Sequence, residues 1–201
     1  VQRITEEDPE VNSVVCLGGK AVALPISSAY DSFVRDPTGV IQKYFGHSAY
    51  RVDVAAAVDD GFSWQLGVFA AHAFAQDGNL VSGGSEPGRT IFTTGEVDRD
   101  LNILPVDHVP EKLKKLAQAL SEGQVAHTTL KLYLPAENAA QIEESWLRDI
   151  GLGPEVCRVV PVARVVDLLT DLGGEKPSGS SAPRGSRDIA EIPAPPLSSA
   201  P

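Results

Sequence analysis

VDVAAAVDDGFSWQLGVFAAHAFA, residues Val52–Ala75, is the stretch that decides the fold. It reads as the end of a strand (Tyr50–Val58), an acidic turn at Asp59-Asp60-Gly61, and a helix over Ser63–Gln76. At ~100° per residue, Leu66, Gly67, Val68, Phe69, Ala70, Ala71, Ala73 and Phe74 cover almost the whole helix circumference. Only Gln65 and His72 share a polar direction. A helix that is apolar nearly all round is expected at the centre of its domain. Ser63 falls at its first turn, where backbone N–H groups lack intrahelical acceptors. Two roles suit a serine there. It can cap the helix end, or it can act as a nucleophile beside ready-made oxyanion donors.

Outward from this helix the chain alternates between strand and helix patterns. Val11–Leu17 and Lys20–Pro25 are β-rich runs around Gly18-Gly19, the pattern of a hairpin. Within Ala29–Phe45, Pro37 and Gly39 break any helix. Thr90–Val97, Asn102–Val106, Thr128–Leu134 and Val156–Val162 read as strands, and Ala136–Arg148 and Ala163–Leu172 as helices. Residues 11–172 therefore form one domain of mixed α and β structure. The polar segment 1–10, VQRITEEDPE, is expected to be flexible. Residues 173–201 are dominated by Pro, Ser, Gly and Ala, which bury too little apolar surface to offset ordering. They are expected to be a disordered tail or linker.

A second informative helix is EKLKKLAQALSE, Glu111–Glu122. Leu113, Leu116, Ala117 and Leu120 form its apolar stripe. Lys114 and Lys115 point away from the stripe. Lys112 shares a row with Leu116 and Leu120 at its edge. Of the three lysines it is the one able to enter a partly apolar pocket, where desolvation would lower its pKa. The same position also suits a snorkelling surface lysine.

With 17 basic and 27 acidic residues in 201, the formal charge is −10, which argues against a general nucleic-acid binder. No apolar run reaches the ~18 residues of a membrane span, and no secretory prefix is recognisable. Cys16 and Cys157 lack metal or redox spacing and are expected as buried or half-buried thiols of a reducing, cytoplasmic compartment, with a single disulfide as the alternative. His47, His72, His108 and His127 have no metal-like spacing, so no metal site is expected. The chain has no methionine and starts at Val1, which suggests a segment of a longer protein.

Taken together, the two helices resemble a known family. The Val52–Ala75 stretch is similar to the strand, Asp-Gly turn, serine and buried helix of Lon-type serine peptidases. The family's D-G-P-S-A-G corresponds to Asp60-Gly61-Phe62-Ser63-Trp64-Gln65. Further on, TTGEVDRDLNILPVDHVPEKLKKL resembles its T-G-E…LP-x-G-G…K segment, giving Thr94-Gly95-Glu96, Leu104-Pro105 and Lys112. The strand, Pro-acid-Asn, helix, strand, helix ending follows over the remainder. The likeness covers Tyr50–Leu172 well and Val11–Tyr50 loosely. It implies an α+β domain of mixed sheets packed with helices around a central buried helix. It also implies a Ser–Lys dyad with Ser63 as nucleophile and Lys112 as general base. Thr94 would orient the lysine, and Asp60 matches the acid ahead of the serine.

Such a dyad is chemically coherent, because a desolvated neutral lysine can take a serine proton without any histidine or cofactor. The implied partners are a peptide or unfolded protein substrate and an ATPase in the same or a partner chain, since no Walker motif is present. A homo-oligomeric ring is implied in the same way. Three features depart from the family. Trp64-Gln65 replaces small residues after the serine, so Trp64 either packs inward or walls the site. Asp107-His108 replaces the Gly-Gly before the lysine, which stiffens that turn, places His108 beside the site and adds a charge that would favour protonated Lys112. DGNLVSGGSEPGR, residues 77–89, reads as an inserted loop without the G-K-[ST] of a phosphate loop. Three functions are thus open: a serine endopeptidase lacking its own ATPase, a catalytically inactive interaction or assembly module of the same fold, and an unrelated nucleotide- or RNA-binding α+β domain.

Overall fold

The computed structural model describes residues 1–58, 61–81, 90–123 and 130–174. Two three-stranded sheets flank one buried helix. The first sheet has strand order β1-β3-β2, from β1 (Arg3–Glu6), β2 (Val14–Leu17) and β3 (Tyr50–Val54). β2 runs parallel to β3 and β1 antiparallel to it, with Ile4 opposite Val52 and Val15 opposite Val52. The second sheet is wholly parallel, in the order β4-β7-β8, from β4 (Ile91–Thr93), β7 (Leu130–Pro135) and β8 (Cys157–Val162). A two-stranded ribbon joins β5 (Glu96–Val97) and β6 (Ile103–Leu104).

The helices are α1 (Ser27–Val34), α2 (Val40–Phe45), α3 (Gln65–Gln76), α4 (Val109–Ser121), α5 (Ala136–Ala139), α6 (Glu144–Asp149) and α7 (Val165–Gly174). α3 is the central one, with Leu66, Val68, Phe69 and Ala70 all buried. One core joins it to α1, α2, α7 and the first sheet, through Tyr30, Phe33, Ile41, Val52 and Leu168. A second core lies on the other face of the parallel sheet, where Val109, Leu113 and Leu120 of α4 meet Leu130, Leu132, Leu134 and Leu147. The alternation along β7 explains the two cores. Leu130, Leu132 and Leu134 point to one face and Lys131 and Tyr133 to the other, as a two-residue period requires. The architecture is mixed α and β with several small sheets, an α+β arrangement in the general sense.

Several expectations are corrected. Residues 1–10 are not loose throughout, because Arg3–Glu6 is a sheet strand. The guanidinium of Arg3 donates to buried Asp53 at 2.8 Å, a tie across fifty positions that no local pattern announces. The run Lys20–Pro25 forms no strand and contributes only a bridge of Ala23 to Cys16, because β2 takes β3 as its partner. Thr90–Val97 splits into two strands at Thr94-Gly95, and Ala136–Arg148 into two short helices. The final helix continues to Gly174, two residues past its expected end at Leu172, and 175–201 lie outside the described residues. Cys16 and Cys157 are both buried and free. Among the described residues no helix is long and apolar enough to cross a membrane.

Candidate active site

The site is assembled at the N-terminal end of α3. Ser63 lies in the turn just before the helix, and the helix end has no side-chain cap. Capping is therefore not what this serine does. Its carbonyl, not its hydroxyl, holds the turn, accepting from Gly95 N at 3.0 Å and, at the long end of hydrogen bonding, from Thr94 Oγ1 at 3.5 Å. Among the described residues the Ser63 hydroxyl has no hydrogen-bond partner, and neither have the backbone N–H groups of Ser63 and Trp64. The next two N–H groups are occupied, Gln65 to Phe62 O at 3.0 Å and Leu66 to Gly95 O at 3.1 Å.

Thr94 is 3% exposed, in the kink between β4 and β5. Its backbone N–H donates to Tyr133 O of β7 at 3.3 Å. Its hydroxyl also accepts from Lys112 Nζ at 3.4 Å, so one buried side chain touches both the Ser63 turn and Lys112. Lys112 is half-buried near the start of α4, whereas Lys114 and Lys115 are exposed, as the helical stripe requires. Its Nζ donates further to Asp107 O at 3.1 Å. Burial holds the Lys112 pKa below its ordinary 10.5, and the nearby Asp107 charge opposes that shift without reversing it. Ser63 Oγ and Lys112 Nζ do not bond directly; Thr94 stands between their groups.

The remaining residues singled out in the sequence fall as follows. Asp60 and the loop 82–89 lie outside the described residues. Trp64 is half-buried and turned onto α1, edge-on to Phe33 with centroids 5.5 Å apart and to Tyr30 at 6.4 Å. Its indole N–H donates to Gly61 O, which closes the turn around Ser63. Phe62, by contrast, is exposed beside the serine. His108 is exposed and sits in the left-handed region, at φ 60° and ψ 29°, as the residue before α4. That conformation favours glycine, the residue of the Lon-type pattern at this place.

Gln65 and His72 do not face solvent. Gln65 Oε1 accepts from Val97 N at 2.8 Å, and His72 Nε2 meets the Tyr30 hydroxyl at 2.9 Å. These two polar positions of α3 are thus interior, bonded ones. Asn138 of α5, the asparagine of the Pro-acid-Asn run, clips the loop before α4. Its Oδ1 accepts from Val106 N at 2.9 Å and its Nδ2 donates to Val106 O at 3.0 Å.

A cavity of about 140 Å³ lies toward the other end of α3, lined by Ile4, Phe45, Tyr50, His72 and Gln76 among others, and is separate from Ser63. No cluster of three or more potential metal ligands occurs among the described residues. A scan against protein-family models and a search of curated proteins each found no match to this chain.

Proposed function

We propose that this domain is a Lon-like serine peptidase, hydrolysing peptide bonds through Ser63 and Lys112. The observation that carries the reading is the Ser63–Thr94–Lys112 constellation. One buried threonine bonds the backbone carbonyl of Ser63, whose hydroxyl has no bonding partner among the described residues, and accepts from a half-buried, pKa-lowered lysine. Neutral Lys112 takes the Ser63 proton as Oγ attacks the substrate carbonyl. The resulting oxyanion is received by the unoccupied N–H groups of Ser63 and Trp64. The lysine then passes its proton to the leaving amine. Neutral Lys112 then deprotonates a water that attacks the acyl carbon, and returns that proton to Ser63 Oγ as the acyl–oxygen bond breaks. For this chemistry the flexible lysine side chain must rotate away from Asp107 O toward Oγ. The substrate is a peptide or unfolded protein, delivered by an ATPase outside this domain, and ring assembly belongs to the same reading.

A second reading, an inactive module of the same fold, is favoured by one observation: Lys112 is engaged by Asp107 O and Thr94 rather than by Ser63. A serine-directed fluorophosphonate separates the two. The active domain is labelled at Ser63, and Ser63→Ala or Lys112→Met abolishes labelling. Because the catalytic form of Lys112 is the neutral one, labelling rises with pH and reaches half its maximum below pH 10.5. Absence of label in the folded native chain over that pH range rejects the peptidase.

A further inference from the structure

Lys112 has two oxygen contacts, and both are referenced to the same strand. Thr94 is tied to β7 by its N–H to Tyr133 O at 3.3 Å. Asp107 O belongs to the loop between β6 and α4, and that loop is held by Asn138, three residues past the end of β7. The Asn138 amide uses its acceptor and a donor on one residue, Val106, with bonds of 2.9 and 3.0 Å. A paired contact of this kind fixes both the distance and the rotation of the peptide it grips. Val106 is followed directly by Asp107, whose carbonyl holds Nζ, and by His108, which sits in the left-handed region. The loop thus carries a conformation that its own residues disfavour, and a clip from a different element stabilises it.

We propose that Asn138 is the positioning residue for Lys112, setting where its amine lies relative to Thr94 and Ser63 through the clip on Val106. For catalysis this rests on the reading of Lys112 as general base; for the lysine's placement it stands alone. Among the described residues Asn138 hydrogen-bonds neither the serine nor the lysine. It acts through the Val106–Asp107 backbone, so its removal lets the loop relax and Lys112 swing toward water. A more hydrated lysine is more fully protonated, because desolvation is what lowers its pKa.

The test is the acylation rate of Lys112 at fixed mildly alkaline pH in the full chain, followed by peptide mapping with a lysine-directed ester, with Lys114 and Lys115 as internal references. Two variants are compared, Asn138→Ala and the isosteric Asn138→Asp. The aspartate keeps an acceptor for Val106 N–H but sets an oxygen against Val106 O, where the amide donated. The expected result is a Lys112 rate lowered about threefold or more in both relative to Lys114 and Lys115, corresponding to about half a pKa unit. Rates within experimental error of the native chain in both folded variants overturn the proposal. So does loss of folding in the isosteric variant, which would make Asn138 a folding residue instead. The outcome is independent of Ser63 chemistry. A Lys112 effect without fluorophosphonate labelling leaves the positioning role and removes the peptidase, and labelling without a Lys112 effect does the reverse.

Discussion

Trp64 carries the largest chemical departure from the Lon-type pattern, an indole directly after Ser63, the proposed nucleophile. Its ring is spent on structure: it packs edge-on to Phe33 and Tyr30 and donates to Gly61 O. Of the two placements open in the sequence, inward packing and an outward wall, the contacts are those of the first, although the residue stays half-buried. Truncating a fully buried aromatic costs about 3–5 kcal/mol. For this half-buried ring, Trp64→Ala is expected to cost about 2–3 kcal/mol, from lost area and from freeing the Gly61 turn. A urea titration measures the stability and fluorophosphonate labelling the site. Labelling should fall, because the turn that presents Ser63 loosens. A variant as stable as the native chain, with faster labelling, would instead make Trp64 a wall over the serine.

At the scale of elements, the site depends on how closely α3 approaches the kink between β4 and β5. Gly95 makes that approach possible. It donates to Ser63 O at 3.0 Å and accepts from Leu66 N at 3.1 Å, so it lies against the helix start on both sides. A Cβ there would sit 3.0 Å from Ile103 Cγ2 and 3.2 Å from Leu66 Cδ2. Gly95→Ala is therefore expected to destabilise by about 1–3 kcal/mol, the usual range for overpacking, and to weaken Ser63 labelling by parting the serine turn from Thr94. Unchanged thermal stability would refute the close-contact argument. The positions of α3 and α4 were readable in sequence because apolar periodicity is a local signal, whereas a role for Thr94 beside the lysine came only from the resemblance. β1 was not, since Arg3–Glu6 is polar at both ends and is tied down by a partner fifty positions away. The split of Ala136–Arg148 was hidden in the same way. Leu147 follows Ile142 by five residues, about 140° off its direction in a continuous helix, and the break between α5 and α6 lets both reach the second core. The Asn138 clip spans 32 positions and is visible only once β7 has brought α5 beside the loop before α4.

Across the whole molecule, two buried titratable groups and a half-buried one point the same way. His72 is 3% exposed, and burial pushes its imidazole down to about 3, so it stays neutral in the fold while accompanying Tyr30. Burial alone would raise Asp53, but its hydrogen bonds to Arg51 and Arg3 outweigh this and hold the carboxyl below its usual range. Asp171 is lowered by its bonds to Tyr133 and then Lys131, against an opposing contribution from burial. The signs agree. Between its unfolded value of 6.5 and about 3, His72 binds a proton only in the unfolded chain, so stability falls as pH falls through that window. The two aspartates are depressed below 3.8, so their contribution is present at neutral pH and is lost only at lower pH. Acid unfolding should therefore proceed in two limbs, an upper one from His72 beginning near pH 6.5 and worth at most about 5 kcal/mol, and a lower one from the carboxylates. His72→Gln keeps a polar partner for Tyr30 and cannot titrate. It should flatten the upper limb and leave the lower one in place, as read by denaturant midpoints at a series of pH values. An unchanged upper limb in that variant would mean that the fold takes up a proton at His72 without penalty, which the closed aromatic surroundings of Phe45, Tyr50 and Tyr30 argue against.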